Sequence, residues 1–169
     1  STGASIENTS TSTASLQLTT TEDSSTAGPV IALKRNNSSP ADANYLGELK
    51  FQGENDSDQQ INYAKITAKI LDASAGTEDG IVEFAIRKNG SNNIAARFRS
   101  DSLQLLNDTN FRVTGHVELG VLASDPSTTT NIAHIYAKDE SSSAEVFVRD
   151  EAGNVTKISP HNEKGEWEY

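Results

Sequence analysis

Cysteine is absent from the 169 residues, and so is methionine. Without thiols there are no disulfides and no thiolate metal sites, and the redox compartment stays open. Aromatic residues make up only 6% of the chain, with a single Trp, so a lone compact monomer would bury little bulky side-chain area. Apolar residues amount to 34%, and the 11 glycines raise that to about 40%, below the ~45–50% usual for globular chains. The longest apolar runs are a few residues, so neither a transmembrane helix nor a signal peptide is visible. Positive charge is scarce: 14 Lys and Arg stand against 24 Asp and Glu, a net charge of −10. The cations are scattered singly among polar positions. No basic stripe marks a nucleic-acid binder, and neither nucleic-acid binding nor membrane insertion is expected. With no Met, a chain opening at Ser1 either has lost its initiator or is a piece of a longer protein.

Two accounts fit so thin an apolar content. The chain is partly disordered, or several copies share one core. Clean alternation of apolar and polar residues favours the second, because disordered polar segments have no reason to alternate. The clearest case is Tyr45 to Leu71. Two alternating runs flank the polar patch Gly53 to Asp58, which predicts a hairpin of half-buried strands. Ala64, Ile66, Ala68 and Ile70 fall on one face, and Tyr63, Lys65, Thr67 and Lys69 on the other. Thr67 and the β-branched Ile pair weigh against reading Ala64 to Leu71 as a helix.

The remaining chain reads as more short strands. Fifteen of the first 28 residues are Ser or Thr, a weakly ordered lead-in interrupted by a short alternating strand at Ser15 to Thr20. Val30 to Arg35 is the next expected strand. Ile81 to Lys88 places Val82, Phe84 and Ile86 on one face, with Glu83 and Arg87 on the other. Asn89-Gly90 signals a tight turn that returns Ile94 to Arg99. Ser102 to Leu105 repeats the word SLQL of Ser15 to Leu18, which carries little weight in so biased a sequence. Asn110 to Gly120 alternates briefly between single glycines, a spacing that suits short strands winding round an axis. Ser124 to Thr130 is a linker. Ile132 to Ala137, Ala144 to Arg149 and Val155 to Ser159 close the chain, the last two flanking a turn-rich connection at Asp150 to Asn154. Pro160 ends that block, and His161 to Tyr169 reads as a polar transition. About nine short strands separated by turn signals indicate an all-β protein.

These words resemble a module of tailed-phage fibre and appendage proteins. The resemblance rests on Gly28-Pro29-Val30, on Ser39-Pro40-Ala41-Asp42, and on Gly47 to Gly53. It continues through Tyr63 to Ala68 and Thr77 to Gly80. Ile135 to Asp139, Glu145 to Thr156 and Ser159 to Asn162 also resemble the ends of marine and uncultured phage structural proteins. The likeness spans about residues 14 to 162 and includes no catalytic signature. It implies a homotrimeric β-rich fibre on a virion, with strands packed round a threefold axis. Sharing a core among three copies would explain the thin apolar content and the small residues Ala64 and Ala68. It would also hide strand edges that invite aggregation. Three copies would carry −30, which favours solubility.

Signals for chemistry are sparse. His116, His134 and His161 stand apart from any nucleophile elbow, oxyanion loop or HExxH pattern and read as surface or packed residues. A single-His axial metal site at His116 or His134 is conceivable in a trimer, but the His-x-His word found in some phage fibres is missing. Glu54 to Asp58 is the best Ca²⁺ candidate, since hard cations want clustered oxygens. It lacks the Gly and distal Glu of an EF-hand and reads as an acidic turn, as do Asp72 to Gly80 and Asp150 to Asn154. Paired carboxylates for glycoside hydrolysis would arise by chance among 24 acids. Trp167, Tyr45, Tyr63 and Tyr136 make no sugar-stacking platform. No catalytic, cofactor-binding or metal-binding residue is assigned.

The expected architecture is therefore all-β. A Ser/Thr-rich lead-in (1–13) precedes an antiparallel β-sandwich or jelly-roll-like domain (14–106) that forms a trimer. A glycine-punctuated short axial β segment and linker (107–130), a C-terminal β-hairpin module (131–162) and a polar tail (163–169) follow. The expected function is a non-enzymatic virion structural protein, a phage fibre or spike subunit at the virion surface. Its partners would be two further copies, other capsid or tail proteins, and a host-surface glycan. Alternatives are a capsid decoration without a receptor, or a bacterial surface adhesin; a depolymerase comes last.

Overall fold

The computed structural model describes residues 3–25, 28–159 and 166, and these contain strands and no helix. The expectations at Pro160, His161 and Trp167 lie outside the described residues. The chain divides into two compact units, Ser1–Phe111 and Arg112–Tyr169.

The first unit is built on one antiparallel five-stranded sheet, in the order of the chain: β1 (Tyr45–Glu54), β2 (Gln60–Asp72), β3 (Asp79–Lys88), β4 (Ser91–Arg99) and β5 (Leu103–Leu105). The opening hairpin forms as its alternation predicts. Leu49 faces Ile66 and Phe51 faces Ala64 across β1 and β2. The polar patch becomes the turn, where the Asn55 side chain accepts the backbone N–H of Ser57 and of Gln59 at 3.0 and 2.9 Å. The β3–β4 turn also follows from its residues. Asn89 and Gly90 both take positive φ, 49° and 79°, as a type I′ turn requires.

Three expected strands differ. Ser15 to Thr20 forms no strand, although the same SLQL word at Ser102 to Leu105 does become β5. β5 has the edge of β4 to pair with, whereas the earlier copy pairs with no described strand, and a strand exists only as a pair. Val30 to Arg35 is likewise without ladder bonds. It is tied near β1 by Arg35, whose Nη1 donates to the Tyr45 carbonyl at 3.2 Å, and by Leu33, which lies against Gly47. Between Asn110 and Gly120 no strand forms in the single chain.

The second unit holds a four-stranded sheet of β6 (Val121–Leu122), β7 (His134–Glu140), β8 (Ser143–Arg149) and β9 (Val155–Lys157). β6 pairs parallel to β7, and the other pairs are antiparallel. Ser141 and Ser142 turn the β7–β8 hairpin with φ of 57° and 69°. The expected β8–β9 hairpin forms round Asp150, whose carboxylate accepts the Asn154 N–H and side-chain amide at 2.8 and 2.7 Å. Gly153 completes that turn at φ 94°. Tyr136 and Phe147 stack at 5.7 Å and are the buried aromatic pair of this unit. The Ser124–Thr130 segment closes over them. Asp125 accepts the Tyr136 hydroxyl at 2.9 Å and Lys138 at 2.8 Å, and the Pro126 carbonyl accepts Arg149 at 2.6 Å.

Candidate interaction faces

The two faces of the five-stranded sheet differ sharply in chemistry. Alternation along each strand and the observed register put one row of side chains directly across from the next. One row reads Leu49, Ile66, Phe84, Ala96, Leu105, and the next reads Gly47, Ala68, Val82, Phe98, Leu103. Phe51, Ala64 and Ile86 continue this apolar face. Across these rows it carries no charged side chain. Yet Leu49, Phe51, Ile86, Phe98 and Leu103 are between 49% and 56% exposed. Phe84 and Phe98 meet edge to face at 5.9 Å without a layer above them. Leu33 covers only the Gly47 corner.

The opposite face is polar and, unexpectedly, the better buried. Its central row is Glu48, Thr67, Glu83, Arg97, Gln104. Thr67 is only 4% exposed. Long charged side chains on either side of it pair their ends, an arrangement in which aliphatic stems cover the strand. Glu83 is held by Lys69 at 2.5 Å and Arg97 at 2.9 Å. Glu48 takes Lys65 at 3.1 Å, Lys50 at 3.3 Å and the Thr67 hydroxyl at 3.1 Å. The hydrogen bond from Lys65 leads the causes that hold the Glu48 carboxyl below its ordinary range. Lys69 also sits 4.9 Å over the Tyr45 ring. The sequence pattern placed Ala64, Ile66, Ala68 and Ile70 inward and the lysines outward. In the single chain Ala64, Ile66, Ala68 and Ile70 are half-buried, as are Lys65 and Lys69, and the fully buried residue is Thr67 on the ionic side.

The residues weighed for chemistry stay apart. His116 is 81% exposed on its side chain and pairs with Glu118 at 2.9 Å. His134 is half-buried on β7, with an Nε2 that has no partner. Glu54 to Asp58 lies at the β1–β2 turn with Asp56 and Asp58 exposed. Asp72 accepts the Ser74 N–H at 2.8 Å, and that bond leads the causes lowering its carboxyl. Asp150 is lowered first by the Asn154 side-chain amide and then by its backbone N–H. Both loops use their acids to cap their own turns. No group of three His, Asp or Glu that could hold a metal ion occurs among the described residues. Tyr63 donates to the Glu54 carbonyl at 3.2 Å, and Tyr136 is engaged by Asp125.

One feature lies hidden in the one-dimensional string. Lysines and arginines that stand singly there converge on the polar face. Lys50 registers with Lys65, Lys69 and Arg99 both register with Ile81, Arg97 stands in the central row, and Arg87 shares the face by alternation with Glu83. The period-2 spacing of Lys65 and Lys69, and of Arg97 and Arg99, was the available signal, but strand pairing was needed to join them. The chain matches no protein-family model, no curated protein and no solved structure.

Proposed function

We propose that this chain is a virion structural protein, a homotrimeric phage fibre or spike subunit that joins other capsid or tail proteins and contacts a host-surface glycan. The observation that carries the proposal is the uncovered, charge-free apolar face of β1 to β5. Fully burying a Leu, Ile or Phe side chain is worth about 1.5–3 kcal/mol. Five such residues are about half exposed, so covering them offers on the order of 5 kcal/mol per copy. Three copies turned with this face inward give each sheet the second layer that a β-sandwich needs. The polar faces then point outward. The exposed Val113, Val117 and Leu119 supply apolar side chains for an axial segment in the same assembly. The phage assignment itself rests on the resemblance of the strand and turn words. In this role the protein works by assembly and adhesion and needs no catalytic step. Sedimentation equilibrium tests the proposal: it is expected to give about 54 kDa, three times the 18.1 kDa of one chain, whereas a folded species of single-chain mass would overturn it.

A further inference from the structure

The polar face of the first sheet concentrates positive charge on a chain that is otherwise strongly acidic. Six of the 14 cations lie on it, namely Lys50, Lys65, Lys69, Arg87, Arg97 and Arg99, against the four acids Glu48, Glu83, Asp72 and Asp79. That is an excess of two on a chain whose net charge is −10. The acids Asp72 and Asp79 sit together at one end of the sheet. The two carboxylates in the body do not consume all the donors. Arg97 and Arg99, two positions apart on one strand, each keep a buried Nε–H without an acceptor. Lys50 is half exposed on its side chain. Neighbouring strands are ~4.8 Å apart and same-face residues along a strand ~6.7 Å apart, so the cations form a grid.

We infer that this face binds an anionic polysaccharide, one bearing carboxylate or sulfate groups. The inference deepens the proposed adhesive role and rests on it for the face's outward position. A polysaccharide chain offers spaced anions to the grid, and its hydroxyls meet the amide of Gln104 in the central row. Duplex DNA suits the face less well. It carries one charge per ~1.7 Å, so the acidic remainder of the chain would repel it strongly. Tyr45 is already covered by Lys69, and Tyr63 is tied by its hydroxyl to the Glu54 carbonyl.

The test uses the purified full chain with dextran sulfate, polygalacturonate, uncharged dextran and duplex DNA as probes, and records the assembly mass in the same samples. Binding of at least one charged polysaccharide, none of dextran, and a loss of about tenfold or more in affinity between ~0.05 and ~0.5 M NaCl are expected from screening. Lys50→Gln with Arg87→Gln spares the Glu83 pairs and is expected to weaken binding about tenfold at unchanged mass and circular dichroism. A trimer that binds neither charged polysaccharide, or a double variant that binds as wild type, overturns the inference and leaves the trimer proposal standing. Equal or tighter binding of duplex DNA overturns the assignment to polysaccharide. Single-chain mass overturns the trimer proposal, while the binding measurement still decides the face.

Discussion

Replacing Glu83 by Ala tests whether the ionic face is structural. The Glu83 side chain is 7% exposed and bridges Lys69 on one neighbouring strand to Arg97 on the other. Its removal leaves two cations under partial cover. Stranding a partner of a fully buried pair costs about 3–5 kcal/mol. Lys69 and Arg97 are not fully buried, and each can turn partly to water, so about 2–3 kcal/mol is the reasoned loss. Glu48→Ala is the internal comparison. Glu48 is 21% exposed and its partner Lys50 is half exposed, so water already screens that cluster and about 1 kcal/mol is expected. Urea unfolding at one fixed protein concentration measures both losses. In ~1 M NaCl the Glu48 effect should shrink, because the screening length falls to ~3 Å, and the Glu83 effect should persist. A Glu83→Ala loss no larger than that of Glu48→Ala would refute the view that this network holds the central strands.

Other consequences follow from single positions. A Cβ added at Gly47 would lie 2.8 Å from the Leu33 Cβ and 2.9 Å from its Cδ1, so Gly47→Ala should cost about 1–3 kcal/mol by overpacking, and Leu33→Ala in the same chain should recover part of it in urea melts. Ser142 holds φ 69° without being glycine, so Ser142→Gly should raise stability by up to ~1 kcal/mol, since a left-handed backbone costs a non-glycine residue about 1–2 kcal/mol, and a drop in melting temperature would contradict that account. The second unit should weaken at both ends of the pH scale. Asp125 is lowered chiefly by its bond from Lys138 and Asp150 chiefly by Asn154, so their contribution is complete above the ordinary carboxylate range near pH ~4 and is lost as pH falls through the depressed values. Tyr136 is raised first by burial and Lys138 first by its bond to Asp125, so their contribution is complete below about pH 10 and is lost above it. Tyrosinate absorbance against near-ultraviolet circular dichroism follows the alkaline limb, and ionisation of Tyr136 at the ordinary value with the fold intact would contradict it.

The antiparallel strands were legible because both sides of each pair were written locally, whereas β6, which pairs in parallel with the distant β7, was not. Tyr45 to Leu71 carries its two runs and its turn within one stretch, and Asn89-Gly90 marks the next reversal. Val30 to Arg35 has equally good alternation and yet forms no ladder, because only the Arg35 side chain bonds to β1 and alternation alone cannot supply a paired backbone. The charged face was half legible. Lys65, Thr67 and Lys69 were visible on one side of a strand, as were Glu83 and Arg87, but nothing in the string says that Glu83 stands between Thr67 and Arg97. Register between distant segments decides that. The side-chain burial was legible least. A rule that sends alanine and isoleucine inward presumes a layer to receive them, and the single chain leaves Phe98 and Leu49 half open while Thr67 on the ionic side is buried. The closing segment at Ser124 to Thr130 shows the same limit. Its Pro and polar content read as a linker, whereas Asp125 and Pro126 are tied to Tyr136, Lys138 and Arg149.

The central claim is that copies of this chain bury the apolar face and leave the ionic face in water. The chain has no cysteine, so a single introduced thiol is a clean reporter. Phe98→Cys places one on the apolar face and Lys50→Cys places one on the ionic face. Thiol labelling of each variant under native conditions, at a concentration where sedimentation shows one assembled species, measures the two faces directly. The account predicts that the thiol at position 98 is protected and becomes reactive only as urea dissociates the assembly, while the thiol at position 50 reacts at once. Equal, rapid labelling at both positions in the native protein would contradict it.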